Sequence, residues 1–110
     1  MTPTGQTADG TWEIGVRRTF PISVEEAWAR LPLLLEGDGA VGDIRSLTPK
    51  VVMRLQFHPS VWNRSSTLQL RVIPAATGTT VAVHHEGLPD QASRREMHQH
   101  WSDALDRLSG

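Results

Sequence analysis

Cysteine is absent from this 110-residue chain, which excludes disulfide bonds, thiolate nucleophiles and cysteine-ligated metal centres. An excess of one charge is also absent, because 11 basic and 12 acidic residues give a net charge of −1. Nucleic-acid-binding domains usually carry a basic face, so this balance argues against nucleic acid as a partner. No apolar run approaches the roughly 20 residues that span a bilayer, and the N-terminus lacks the features of a signal peptide. We therefore expect a cytoplasmic protein that does not bind membranes.

The length and the composition indicate one small globular domain. Hydrophobic residues make up 38% of the chain and charged residues 21%, a balance typical of a folded protein with a core. Residues 1–11 contain nothing that a core would bury, so we expect a flexible N-terminal tail there. The domain itself is then expected to span residues 12–110.

The first part of the domain predicts a strand followed by a broken helix. Apolar and polar residues alternate over 13–20, which is the period of a strand, and Arg18 falls on the apolar face. Ser23 and Glu26 have the spacing of a capping box that begins a helix. Pro32 is expected to break this helix and to begin one further turn.

The remainder of the chain predicts a meander of strands and a long closing helix. Strands joined by turns are predicted where apolar residues alternate, at 41–47, 51–57, 68–72 and 81–85. Sequential pairing, with the first strand closing beside the last, gives the spatial order first, fifth, fourth, third, second. A helix over 90–108 then carries a buried stripe made of Met97, Trp101, Ala104, Leu105 and Leu108. The predicted fold class is α+β, with helices on one face of an antiparallel sheet.

This order of elements resembles the START-like (SRPBCC) superfamily, and within it the branch named for the activator of the heat-shock protein 90 ATPase. Four segments carry the resemblance, and together they span most of residues 13–108. They are the strand-to-helix entry 16–28 (VRRTFPISVEEAW), the hairpin 70–83 (LRVIPAATGTTVAV), the exit 85–90 (HEGLPD) and the last helix with Trp101, Leu105 and Leu108. Larger members have an extra strand pair after the second helix, whereas only a short segment separates Leu35 from Arg45 here.

The resemblance implies a helix-grip fold, in which the last helix lies across a curved sheet of five strands with a reduced cavity between them. Members bind small hydrophobic or aromatic molecules, and some are cyclases. Our first hypothesis is therefore a START-like domain that binds a small hydrophobic ligand without catalysis. Two alternatives stay open: a protein-interaction or chaperone-regulating module, and a cyclase-type tailoring enzyme. An enzyme would need an acid or base beside His85, and a protein partner would need an exposed patch on the outer sheet face.

The residues expected to line the cavity belong to the inward faces of the predicted elements. Arg18 and His85 are polar residues with inward parity, and apolar pockets with a few polar groups are typical of small-molecule sites. Each also has an ordinary structural interpretation, Arg18 as the partner of Glu86 or another acid and His85 as a hydrogen-bonded histidine at the sheet end. Trp62, in the predicted loop 58–65, is interpreted either as a cover of the cavity mouth or as a surface plug. The candidate ligand-binding residues are Arg18, Trp28, Met53, Leu55, Leu68, Leu70, Val83, His85, Met97 and Trp101.

No metal, cofactor or catalytic site is predicted. His84 and His85 are neighbours on a strand and point to opposite faces. His98 and His100 lie about 200° apart around a helix, so they do not converge on one ion. The sequence contains no HExxH pattern and no nucleophile motif.

Overall fold

The helices and strands of the protein follow one another in the order that the sequence predicts. The structure is a computed structural model, and it describes residues 5–7, 10–36 and 39–108. The elements are β1 Trp12–Phe20, α1 Val24–Arg30, α2 Pro32–Leu35, β2 Val41–Thr48, β3 Val52–Phe57, β4 Ser66–Ala75, β5 Gly78–Leu88 and α3 Gln91–Leu108. The predicted α+β class is confirmed.

The five strands form one antiparallel sheet with the spatial order β1-β5-β4-β3-β2. This is the predicted order, and it arises because β2 to β5 pair with their sequence neighbours while β1 closes beside β5. The helices pack on the inner face of the sheet, α3 over β1 and β5 and α1 over β4 and β5. The arrangement is the helix-grip that the family resemblance implies.

The break between the first two helices has the predicted cause. Ser23 caps α1, since its hydroxyl accepts a hydrogen bond from the Glu26 backbone N–H at 3.1 Å. Pro32 stands at the first position of α2, where a missing backbone N–H costs no helical hydrogen bond. Arg30 then joins this corner to the end of α3, because its guanidinium donates to the Leu108 carbonyl at 2.6 Å.

Two strands are longer than the sequence predicts. The turn between the predicted strands 68–72 and 81–85 is shorter than they imply, because Pro74 still pairs with Thr79 and β4 ends only at Ala75. β5 continues to Leu88, where the alternation of apolar residues has already been interrupted. Gly87 explains the interruption: it has φ of 80° and is the extra residue of an irregularity opposite β1.

The hydrophobic core lies between the inner sheet face and the helices. On α3 the buried residues include Trp101, Ala104, Leu105 and Leu108, as the predicted stripe requires, while Met97 is half-buried. The sheet contributes buried apolar residues from four strands: Ile14, Phe20, Leu55, Phe57, Leu68, Leu70, Val72, Val81, Val83 and Leu88. Two polar residues, Ser66 and His85, are buried in the same layer.

Apolar residues of the edge strand β2 are not buried in this core. Ile44 pairs with Leu55 and Leu47 pairs with Met53, and directly opposed residues share a sheet face, so both point to the inner side. Nevertheless Ile44 is 57% exposed and Leu47 is 48% exposed. The inner face is therefore closed over β1, β5 and β4 and open over β2.

Part of the predicted N-terminal tail lies against the sheet. Gln6 forms an isolated bridge with Trp12, and Thr11 is buried. Residues 1–4 and 8–9 lie outside the described residues, so a flexible tail over 1–11 stays a prediction. In the part of the chain that the structure describes, no helix has both the length and the apolar character needed to cross a bilayer.

Candidate functional site

His85 is the one histidine predicted to face the core, and the structure places it there. It pairs with Ile14 of β1 on one side and Leu68 of β4 on the other, and its side chain is 0% exposed. Its neighbour His84 pairs with Gly15 and is half-buried on the outer face. The opposite orientations of the two histidines are confirmed.

The buried imidazole has a hydrogen-bond partner at each nitrogen. The indole N–H of Trp101 donates to Nδ1 of His85 at 3.1 Å. The Ser66 hydroxyl lies 2.8 Å from Nε2 of His85 and donates its own proton to the Phe57 carbonyl at 2.5 Å. Because Nδ1 must accept and the serine proton is already committed, Nε2 carries the imidazole proton and donates it to Ser66. The bonds therefore run in one direction, from Trp101 through His85 and Ser66 to the Phe57 carbonyl.

This arrangement favours the neutral imidazole. Burial, and to a smaller extent the charges of His100 and His84, lower the pKa of His85 from 6.5 to about 3. Protonation would also place an N–H at Nδ1, facing the indole N–H of Trp101, and would break that hydrogen bond. Near neutral pH His85 is thus an uncharged group with all its hydrogen-bonding capacity used.

Aromatic rings surround His85 on its remaining sides. The inner aromatic cluster consists of Phe57, Trp62, His85 and Trp101. The His85 ring centroid lies 4.9 Å from that of Phe57 and 6.0 Å from those of Trp62 and Trp101, and Phe57 and Trp101 are 5.5 Å apart. The near-perpendicular arrangement of Phe57 and His85, at 82°, is one of the preferred ring geometries.

Trp62 closes the cluster from the loop between β3 and β4. It is 9% exposed, and its carbonyl lies 2.8 Å from Nε2 of His58. Of the two sequence interpretations, cover of a cavity or surface plug, the structure places Trp62 as a plug that packs on the core. Phe57 and Ser66 complete the site and were not among the candidates, although both share the inward parity of their strands.

The other candidate ligand-binding residues divide into two groups. Leu55, Leu68, Leu70 and Val83 are buried core residues of the inner sheet face. Trp28, Met53 and Met97 are half-buried at the border of the core. Their role as ligand contacts stays a prediction.

Arg18 has the inward parity that was predicted but reaches the edge of α3. Its guanidinium pairs with the carboxylate of Asp106, and its side chain is 36% exposed. The acid that it contacts thus belongs to α3 and is not Glu86. This position corresponds to the ordinary structural interpretation of Arg18, a partly solvated ion pair.

Two depressions on the described part of the surface, residues 5–7, 10–36 and 39–108, lie outside the space between the sheet and α3. One, of about 550 Å³, is lined by Thr7, Thr11, Arg64, Ser65, Ser66, Thr67, Glu86 and Gly87. The other, of about 300 Å³, lies on the outer face. The reduced cavity that was predicted under the closing helix is in neither place, because the inner aromatic cluster packs into that space.

The hydrogen bond between Ser66 and His85 runs opposite to the direction that serine-type catalysis requires. Ser66 and His85 are a hydroxyl and an imidazole in contact, but Nε2 of His85 donates to the hydroxyl. A general base must accept the serine proton at that nitrogen. Since Trp101 fixes the tautomer from the other side, the pair is a structural contact.

The comparisons with known proteins agree with this fold. The family described as "Activator of Hsp90 ATPase homolog 1-like protein" matches residues 39–110. CalU16 from Micromonospora echinospora superposes with a TM-score of 0.76 at 20% identity, over 94% of this chain and 76% of CalU16. An AHSA1-like protein from Rhizobium etli gives 0.73 at 17% identity, over 94% of this chain and 84% of its own.

A third solved structure is DynU16, a protein in the dynemicin biosynthetic locus. Its TM-score is 0.72 at 13% identity, over 88% of this chain and 45% of DynU16. No curated protein matches the chain. At these identities the structural likeness shows a shared fold, and function has to be argued from the residues of this chain.

Proposed function

Because this chain belongs to the family of Activator of Hsp90 ATPase homolog 1-like proteins, we propose that it binds a small apolar or aromatic molecule on the open part of its inner sheet face. The observation that carries this proposal is the exposure of Ile44 and Leu47 on the side of the sheet where other apolar residues are buried. Exposed apolar side chains that adjoin one another commonly mark binding surfaces.

The binding surface that we propose is an open strip formed by Val41, Ile44, Leu47 and Met53. Val41 pairs with Phe57, and Leu47 pairs with Met53, so the strip adjoins the inner aromatic cluster at Phe57. A planar apolar ligand lying on the strip would therefore contact aromatic rings at its inner end. Trp62, which comes from a loop and not from a strand, is the ring best placed to move aside.

The energy available from the strip suits a small ligand. Full burial of a leucine or isoleucine contributes about 1.5–3 kcal/mol, and Ile44 and Leu47 are each about half exposed. Covering both would contribute about 1.5–3 kcal/mol in total. The remaining affinity would have to come from Val41, Met53 and the aromatic cluster.

The open strip supports ligand binding better than it supports either of the two alternative functions. A cyclase-type enzyme needs an acid or base that can move a proton, whereas the contacts of His85 leave it neutral and saturated. A protein partner was expected on the outer face, where Arg54 donates to Gln69 at 2.8 Å in an ordinary solvated contact. A protein segment lying on the open strip remains one outcome of the test below.

A fluorescent apolar dye, 1-anilinonaphthalene-8-sulfonate, provides the test. We expect the wild-type protein to enhance its emission and the Ile44→Gln/Leu47→Gln double variant to lose that enhancement. Ile73→Gln is the matched control, since Ile73 is an exposed apolar residue on the outer face. Equal dye emission from all three folded proteins would contradict the proposal.

Native mass spectrometry of freshly purified protein then distinguishes the kind of ligand. A bound mass of a few hundred daltons that is absent from the double variant would support a small molecule. Loss of a co-purifying polypeptide from the same variant would instead support the interaction module.

A further inference from the structure

Three side chains of metal-ligand type meet on the outer face of the sheet, opposite to the inner aromatic cluster. They are Glu13 of β1 and His84 and Glu86 of β5, and one ligand atom from each lies within 4.8 Å of the others. Oε2 of Glu13 and Nε2 of His84 are 3.5 Å apart. We call these residues the outer Glu–His–Glu cluster.

The pairing of β1 with β5 holds the cluster in place. Glu13 is directly opposite Glu86, and His84 stands two residues from Glu86 on the same face of the same strand. All three side chains therefore project from backbone that is fixed by sheet hydrogen bonds. At the start of β1, Nε of Arg94 donates to the Glu13 carbonyl at 2.9 Å, which ties this end of the strand to α3.

The charges of the cluster favour a bound cation. Two carboxylates in direct cross-strand register repel each other, and such like-charged pairs destabilise a sheet. A divalent ion between them would turn this repulsion into attraction. The imidazole of His84 adds a nitrogen ligand, which suits first-row transition metals better than magnesium or calcium.

A separate feature beside the cluster also indicates a ligand. Gly15 lies opposite His84 in the interior of β1, where glycine weakens a strand and often marks a bulge, a tight bend, or the close approach of a ligand or another backbone. A Cβ atom built on Gly15 would meet nothing nearer than the Val83 carbonyl at 4.0 Å, so the space above it is open. The outer depression of about 300 Å³ begins here, lined by Gly15 and His84 among others.

We propose that Glu13, His84 and Glu86 bind one divalent transition-metal ion of the Zn²⁺ class. Three protein ligands leave at least one coordination position of such an ion open. The outer depression beside Gly15 gives water or a small anion access to that position. A search of histidine spacing along the chain does not reveal this site, because Glu13 joins it only through the register of β1 with β5.

The test uses the tag-free chain, stripped of metal with a chelator and titrated with Zn²⁺ by calorimetry. We expect one equivalent to bind, and we expect His84→Gln and Glu86→Gln each to weaken binding by at least about tenfold. His98→Gln is the matched control, since His98 is an exposed histidine on α3, and it should bind as the wild type does. Histidine ¹⁵N spectra should show the His84 ring shifting on titration while the His85 ring does not.

Three results would overturn the proposal. They are the absence of Zn²⁺ binding to the wild type, binding that His84→Gln leaves unchanged, and Mg²⁺ binding as tight as Zn²⁺ binding. Circular dichroism of each variant separates loss of the site from loss of the fold. As a second measurement, Gly15→Val should place a side chain beside His84 and weaken binding while the three ligands remain.

Discussion

Trp101 donates its indole N–H to Nδ1 of His85 across the interface between α3 and β5, at 3.1 Å. This bond determines which nitrogen of the imidazole carries the proton, and thereby the direction of the hydrogen bonds that follow to Ser66 and the Phe57 carbonyl. A helix residue thus sets the tautomer of a strand residue in the centre of the core. Burial of the ring, which is the main cause of its lowered pKa, removes His85 from the acids and bases available near neutral pH.

The contribution of Trp101 to stability can be divided into packing and hydrogen bonding. Because its side chain is fully buried, Trp101→Ala should lower the free energy of unfolding by about 3–5 kcal/mol. Trp101→Phe keeps most of the apolar volume but leaves Nδ1 of His85 without its donor, which should cost about 1–3 kcal/mol. Urea denaturation measures both values. A Trp101→Phe variant as stable as the wild type would show that the hydrogen bond contributes nothing, and alanine and phenylalanine variants of equal stability would show the same of the ring packing.

The lowered pKa of His85 predicts a dependence of stability on pH. Between pH 6.5 and about 3 the unfolded chain binds a proton at residue 85 that the folded protein excludes. The free energy of unfolding should therefore fall as the pH falls through this window, by up to about 1.4 kcal/mol per pH unit. From pH 7 to pH 5 the loss due to His85 should be about 2 kcal/mol.

The His85→Asn variant isolates this contribution. The asparagine side-chain oxygen can still accept from Trp101, but it does not titrate in this range. The variant should be less stable than the wild type at pH 7 and should lose about 2 kcal/mol less on going to pH 5. His98→Asn, at an exposed histidine, should follow the wild-type pH profile. A profile of His85→Asn parallel to the wild type would contradict the assigned pKa.

Much of the fold could be predicted because it depends on local pattern and pairing order. Alternation along the strands identified Leu55, Leu68 and Val83 as inward residues, and sequential pairing identified the order of the sheet. The broken first helix followed from Ser23 and Pro32, whose effects on backbone hydrogen bonding are local. These features do not require knowledge of where distant residues meet.

The candidate site could be predicted only in part, because its contacts depend on tertiary placement. His85 was identified from its parity, but its partners come from a helix, another strand and a loop far along the chain. The exposure of Ile44 depends on which strands the helices cover, and no pattern within β2 shows this. The outer Glu–His–Glu cluster depends on the register between β1 and β5.

The ion pair of Arg18 should contribute little to stability. Its side chain is about one-third exposed and its partner Asp106 is more exposed still, and such surface pairs are worth about 0–1 kcal/mol. Arg18→Met keeps the apolar stem of the side chain, so we expect a melting temperature close to that of the wild type. Dye binding should also be unchanged. Loss of dye binding in a folded Arg18→Met protein would instead place Arg18 at the ligand site, as the sequence first suggested.

The turn between β4 and β5 depends on glycine at position 78 for steric reasons. Gly78 has φ of 148°, and a Cβ atom there would lie 2.0 Å from the Phe20 carbonyl oxygen. The obstacle is backbone at the end of β1, which cannot rotate away as a side chain can. Gly78→Ala should therefore separate β1 from the hairpin and lower the free energy of unfolding by at least about 2 kcal/mol. Gly39→Ala is the matched control, because a Cβ atom at Gly39 meets nothing within 4 Å. Thermal denaturation of the two variants checks the prediction, and equal melting temperatures would show that the end of β1 yields to the added methyl group.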